Sequence, residues 1–238
     1  MEDLEDFVMH RLPTADRPLL GLTVLAVEDS RFACEALRLM CLRSGARIRR
    51  ADSLRSAKRH LRTYRPSVII IDIGLPDGSG LELIRELSSA GEQVGIIIGT
   101  SGDDLARSEA LQAGANGFLE KPISNLAEFQ ECILHHLPRE VQPKSPRKLP
   151  DDVLVPDELA LKDDLAHVAN LLSDKPDDPV LHYVAQFLGG VALSANDPPL
   201  LSAAQALNQS VNGSGATEAA LSQLNSIISD RISAARPM

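Results

Sequence analysis

Four short apolar runs, rich in Val and Ile, mark the first half of the chain, and each leads into residues with phosphoryl or metal chemistry. Leu22–Val27 ends on Glu28-Asp29, Val68–Ile71 on Asp72, and Val94–Gly99 on Thr100-Ser101, while Gly117–Leu119 leads to Glu120-Lys121-Pro122. Such runs read as strands buried on both faces. With a shorter segment near 46–50, the predicted strands are 22–27, 46–50, 68–73, 94–99 and 117–119. Between them, apolar residues recur at helical spacing. Ala33, Leu37, Met40 and Cys41 share one stripe, and Leu54, Ala57 and Leu61 share another that stops at Tyr64-Arg65-Pro66. The predicted helices are 30–44, 53–64, 80–89, 103–113 and 124–137. This alternation predicts an α/β domain with a doubly wound, five-stranded parallel sheet and right-handed crossovers.

The pattern then changes. Residues 138–152 hold four prolines and read as a semi-rigid linker. Beyond them every stripe has helical period: Leu161, Leu165, Val168 and Leu172; Val180, Val184, Phe187 and Val191; Leu200, Ala204, Leu207 and Val211; Leu221, Leu224, Ile228 and Ile232. Breaks fall at 173–179, 196–199 and 212–215, with Pro179 and Pro198 or Pro199 suited to first helical turns. The expected division is an extension at 1–20, an α/β domain at 21–137, the linker at 138–152 and a small all-α helical domain at 153–238. A bundle that short is marginal alone, which favours dimerisation.

Composition narrows the setting. Hydrophobic residues make up 44% and aromatics only 3%, with no Trp, so aliphatic packing dominates. The acidic start lacks the basic region and apolar run of a signal peptide, and no stretch is long and apolar enough to span a bilayer. Cys34, Cys41 and Cys132 form an odd set without metal-ligand spacing, which suggests reduced thiols and a cytoplasmic location. Residues 1–150 carry 20 Lys+Arg against 21 Asp+Glu, whereas 151–238 carry 4 against 12, a net of −8. Within the first part, Arg31–Arg65 has a net of +9. The acidic helical region opposes the phosphate attraction that dominates DNA affinity, so no DNA contact is expected from it. The basic stretch reads as a solvated face or as a docking surface for an acidic protein, the helical region of the same chain included.

In an open parallel sheet, ligands bind beyond the carboxyl ends of the strands. Glu28, Asp29, Asp72, Thr100 and Lys121 would converge there. Crowded carboxylates repel and call for a divalent cation. The lysine and hydroxyl then suit an anionic group held against that metal. Singly, each residue has a plainer reading: Glu28-Asp29 as a helix cap, Asp72 as a turn residue, and Thr100 or Ser101 as a partial cap of the following helix. The ordered set is what favours phosphoryl chemistry.

Glu28-Asp29, Asp72, Pro76, Gly80, Thr100 and Lys121-Pro122, in that order, resemble the receiver domain of two-component response regulators over residues 22–137. The resemblance implies a CheY-like, flavodoxin-like fold. It implies that Asp72 accepts a phosphoryl group from a sensor histidine kinase or histidine phosphotransfer protein. Glu28, Asp29, Asp72 and the backbone carbonyl of Gly74 would hold Mg²⁺. Thr100 would bind the phosphoryl group, Lys121 would pair with Asp72, Phe118 would be the aromatic switch, and Lys121-Pro122 is a candidate cis bond. Self-phosphorylation and autodephosphorylation are the only enzymatic activities expected, since no output-enzyme motif is found. Signalling would pass through the non-DNA-binding helical domain to a protein partner. The alternatives are a helical region that is itself a histidine phosphotransfer module using His167, or a homodimerisation module. His182 and the pair His135-His136 have weaker cases.

Overall fold

The computed structural model describes residues 13–91, 94–103, 105–144, 156–173, 176–213 and 217–234. The α/β part runs β1 (Thr23–Val27), α1 (Arg31–Ser44), β2 (Arg47–Ala51), α2 (Leu54–Thr63), β3 (Val68–Asp72), a hairpin of β4 (Gly74–Leu75) and β5 (Gly78–Ser79), α3 (Gly80–Ser89), β6 (Ile96–Ser101), α4 (Ala106–Gln112), β7 (Gly117–Glu120) and α5 (Leu126–Leu134). The main sheet is five-stranded and parallel, in the order β2-β1-β3-β6-β7. This is the doubly wound architecture that the alternation of apolar runs predicts. Strand order reverses between β1 and β3, the place where such sheets open a crevice.

Each face of the sheet has its own core. Leu25, Ile69, Ile71 and Ile97 pack with α2, α3 and α4 on one side; Val24, Ala26, Ile70 and Ile98 pack with α1 and α5 on the other. Alternate residues of one strand thus serve opposite cores, as the two-residue period requires. Leu19 is wholly buried in the second core, and its N–H donates to the Ser44 carbonyl at 2.9 Å. The edge strand β2 turns Arg47, Arg49 and Arg50 to solvent, which discourages edge-to-edge pairing.

Two expectations need correction. The segment after β3 contains the β4–β5 hairpin, too short to register in an apolar pattern. The helix expected from residue 103 starts only at Ala106: Ser101 Oγ accepts from the Asp103 N–H and Asp103 from the Leu105 N–H, so these side chains stabilise a turn first. Neither Thr100 nor Ser101 caps the helix.

The helical part comprises α6 (Glu158–Ser173), α7 (Asp178–Ser194), α8 (Pro198–Asn212) and α9 (Thr217–Ser233). Asp177 and Asp197 cap α7 and α8 through the N–H groups of Val180 and Leu200, and prolines occupy both first turns. Leu165, Val184, Leu188, Leu200, Leu207, Leu224 and Ile228 form a third core, separate from the two sheet cores. Most of the proline-rich linker lies outside the described residues; Arg139–Val141 at its start forms a single 3₁₀ turn.

Candidate functional site

Register assembles the site. Val27 pairs with Ile71, and Asp72 pairs with Thr100, so Glu28, Asp29, Asp72 and Thr100 sit at one level beyond the sheet. Ser101 pairs with Glu120, and the next residue, Lys121, donates its N–H to the Ser101 carbonyl at 2.9 Å. The Lys121-Pro122 bond is cis.

One carboxylate oxygen from each of Glu28, Asp29 and Asp72 lies within 4.8 Å of the others. Lys121 Nζ donates to Asp72 Oδ2 at 2.7 Å and stands 2.8 Å from Glu28 Oε2, with both carboxylates and the ammonium buried. Glu28 Oε1 accepts from the Ser30 N–H, while Glu28 Oε2 has no aligned hydrogen-bond donor. Burial pushes the Glu28 carboxyl up to about 8 against the pull of Lys121, with the charge of Asp72 adding to the rise. Burial, then the Asp72 charge, raises Asp29 to about 6, and a hydrogen bond from Tyr183 counteracts part of that. Burial works against the Lys121 ammonium, but Asp72 and Glu28 more than compensate and hold it firmly protonated. The crowded acids fit a divalent cation.

Thr100 is wholly buried and its Oγ1 has no hydrogen-bond partner. Phe118 is buried in the core beside α4, with the Arg107 guanidinium 5.2 Å above its ring. A Cβ at Gly99 would come within 3.2 Å of the Phe118 ring, so glycine there makes room for it. Cys34 and Cys41 are buried free thiols, each pushed up to about 12 mainly by burial.

The helical part closes over this site, which no local sequence pattern announced. Helix α7 lays one stripe across it: Tyr183, Gln186, Gly190 and Leu193. Tyr183 Oη donates to Asp29 Oδ2 at 2.7 Å. Gly74 and Gly102 lack a positive φ, so their conformation does not demand glycine; the space does. A Cβ at 74 would collide with the Gln186 carboxamide, and one at 102 with Leu193. Gly190 lies over Lys121 Nζ, 3.6 Å from where its own Cβ would be. From α6, Asp164 reaches the start of α1. It accepts from Ser30 Oγ at 2.7 Å, Arg31 N at 2.9 Å and Phe32 N at 3.0 Å. Burial raises the Asp164 carboxyl, and these three donors oppose the rise. Arg31 also pairs with Asp163 at 2.6 Å. The helical region therefore docks on the start of the basic stretch, through the Arg31–Asp163 ion pair and the capping contacts of Asp164, with Tyr183 on Asp29 just before it.

A cleft of about 590 Å³, open to solvent on one side, lies between the halves, lined by Glu28, Asp72, Gly74 and Lys121 below and by His182 and Gln186 among others above. His167 is exposed and lines a different cavity with Asp29, Arg50 and Asp52, its ring against Phe187. The pair His135-His136 stacks edge to face at the end of α5, apart from the carboxylate cluster.

The sequence profile of the response regulator receiver domain matches residues 24–133. This part of the chain is a response regulator receiver domain. Relatives agree with the receiver assignment: the KDP operon transcriptional regulatory protein KdpE of Escherichia coli K12 is 35% identical over 107 residues, 45% of this chain and 47% of that protein. The response regulator MprA of Mycobacterium leprae is 28% identical over 181 residues, 76% of this chain and 71% of that protein. Apart from MprA of M. leprae, the receiver matches span about half the length of these curated relatives. A two-component response regulator from Clostridium difficile has a solved structure similar over 50% of this chain and 98% of that one, with 21% identity and a TM-score of 0.45. Among the described residues, no helix is long and apolar enough to cross a membrane.

Proposed function

We propose that Asp72 accepts a phosphoryl group from a histidine kinase or phosphotransfer protein, and that this controls the helical part docked over it. The observation that carries the reading is the buried Lys121–Asp72 pair at the reversal point of the sheet, with Glu28 and Asp29 beside it and the unpartnered Thr100 hydroxyl at the same level. Phosphoryl transfer needs positioning and charge neutralisation more than covalent help. Mg²⁺ held by Glu28, Asp29, Asp72 and the Gly74 carbonyl would neutralise charge on the transferring group. Asp72 supplies the attacking oxygen, and the Lys121 ammonium 2.7 Å away offsets charge beside it. Thr100 offers its free hydroxyl to a phosphoryl oxygen. A hydroxyl drawn that way, with Phe118 packed next to β6, links the site to the α4 side of the receiver by shifting a population between two states.

The helical part works through protein contacts. Its net of −8 disfavours the DNA backbone, although KdpE is by name a transcriptional regulator. The acetyl phosphate reaction in Mg²⁺ tests the core of this reading. Wild-type protein is labelled at Asp72, and Asp72→Asn abolishes labelling. Labelling that persists at full stoichiometry in that variant refutes it.

A further inference from the structure

We infer that α7 contributes Gln186 to the chemistry of the site, as the side chain that positions water for hydrolysis of the Asp72 acyl phosphate. The inference rests on the phospho-acceptor reading above and adds an activity to the helical part. Tyr183, Gln186, Gly190 and Leu193 are spaced three, four and three residues apart, which puts them on one face of the helix. That face is laid on the site at four points, namely Asp29, Gly74, Lys121 and Gly102. Gln186 is the polar member between the anchored ends. Gln186 is exposed to the solvent side of the cleft, its carboxamide makes no hydrogen bond to any described residue, and it lies against Gly74, two residues after the nucleophile. It shares the 590 Å³ cleft with Asp72 and Lys121. That volume holds a phosphoryl group and a water molecule, whose share of liquid volume is about 30 Å³.

A carboxamide suits the task because its oxygen accepts from water while its NH₂ donates to a phosphoryl oxygen. Glutamine orients the attacking water in the same way in enzymes that cleave phosphoanhydrides. The step balances simply. Water oxygen bonds to phosphorus, the bond from phosphorus to the Asp72 oxygen breaks, Asp72 regains its carboxylate, and both water protons leave with inorganic phosphate or pass to solvent. Gln186 carries no proton. Glycine at 74 and 102 admits the helix. The docked helical part then shortens the lifetime of the signal that it reads.

The experiment follows full-length protein, loaded with radiolabelled acetyl phosphate in Mg²⁺, through loading and then through decay after donor removal. Gln186→Ala is expected to slow decay on the order of 10- to 100-fold, the scale of a lost orienting contact. Decay slows more than loading does, and the hydrogen-exchange protection of the Arg31 and Phe32 amides, which report docking, stays as in wild type. In an Asp164→Ala background, where docking is loosened, Gln186→Ala adds little further slowing. Unchanged decay in Gln186→Ala overturns the inference. So does slower decay accompanied by equal changes in loading and protection, because Gln186 would then act only through docking. Failure of wild-type protein to label at Asp72 instead removes the phospho-acceptor reading, and this inference with it.

Discussion

Asp164→Ala probes the joint between the two halves. Asp164 is 3% exposed and accepts three hydrogen bonds from Ser30, Arg31 and Phe32, at the first turn of α1. A hydrogen bond to a charged group contributes about 1.5–3 kcal/mol net. Three bonds to one carboxylate are not additive, and burial of that carboxylate offsets part of their sum. A loss of about 2–3 kcal/mol in docking free energy follows, or roughly 30- to 150-fold in the docking equilibrium at 1.4 kcal/mol per decade. Alanine also strands the Arg31 and Phe32 N–H groups wherever docking persists. The folds of the halves should survive, because the helical core and the two sheet cores share no residues. Hydrogen exchange at Arg31 and Phe32, with small-angle scattering for overall size, reads the result. The expected outcome is protection lost by one to two orders of magnitude and a larger radius of gyration. Wild-type protection at both amides, with an unchanged radius, would refute the claim that Asp164 anchors the interface.

Other outcomes follow from single contacts. Tyr183→Phe removes the hydroxyl on Asp29 and should raise Mg²⁺ affinity about tenfold, the scale of one charged hydrogen bond; calorimetric titration showing equal or weaker binding contradicts this. Thr100→Ala should still accept a phosphoryl group but lose phosphorylation-dependent exposure of the helical part, measured by comparing exchange with and without beryllofluoride. Gly80→Ala places a Cβ against the backbone carbonyl of Asp72, which cannot yield as a side chain can; overpacking costs about 1–3 kcal/mol, so a melting temperature within a degree of wild type would be inconsistent. The Arg231 hydrogen bonds hold Asp197 below its ordinary value, so this pair stabilises α8 and α9 above the unfolded pKa, and the contribution fades as pH falls through the folded one. Being partly exposed, the pair contributes no more than about 0.2–1 kcal/mol, and Asp197→Asn should flatten the acid limb of thermal melts below about pH 4, the unfolded Asp value.

The sequence alone determined where chemistry sits along the chain. A strand buried on both faces must be an unbroken apolar run, so its end is visible as the first polar residue: Asp29 after Glu28, Asp72, Thr100, and Lys121 after β7. Helix limits in the second half were visible for a similar reason, since polar breaks with prolines punctuate two of them. Three things needed the tertiary structure. Pairing order decides that Asp72 lies level with Thr100, and no local pattern encodes it. The β4–β5 hairpin is too short to carry a period. Above all, the roles of Asp164, Tyr183 and Gln186 depend on what faces them. Asp163 and Asp164 are neighbours in an acidic stretch, about 100° apart around α6. That rotation leaves the Asp163 side chain 42% exposed and buries Asp164 on the first turn of α1. An amphipathic stripe says that a helix is docked; only the packed molecule says on what.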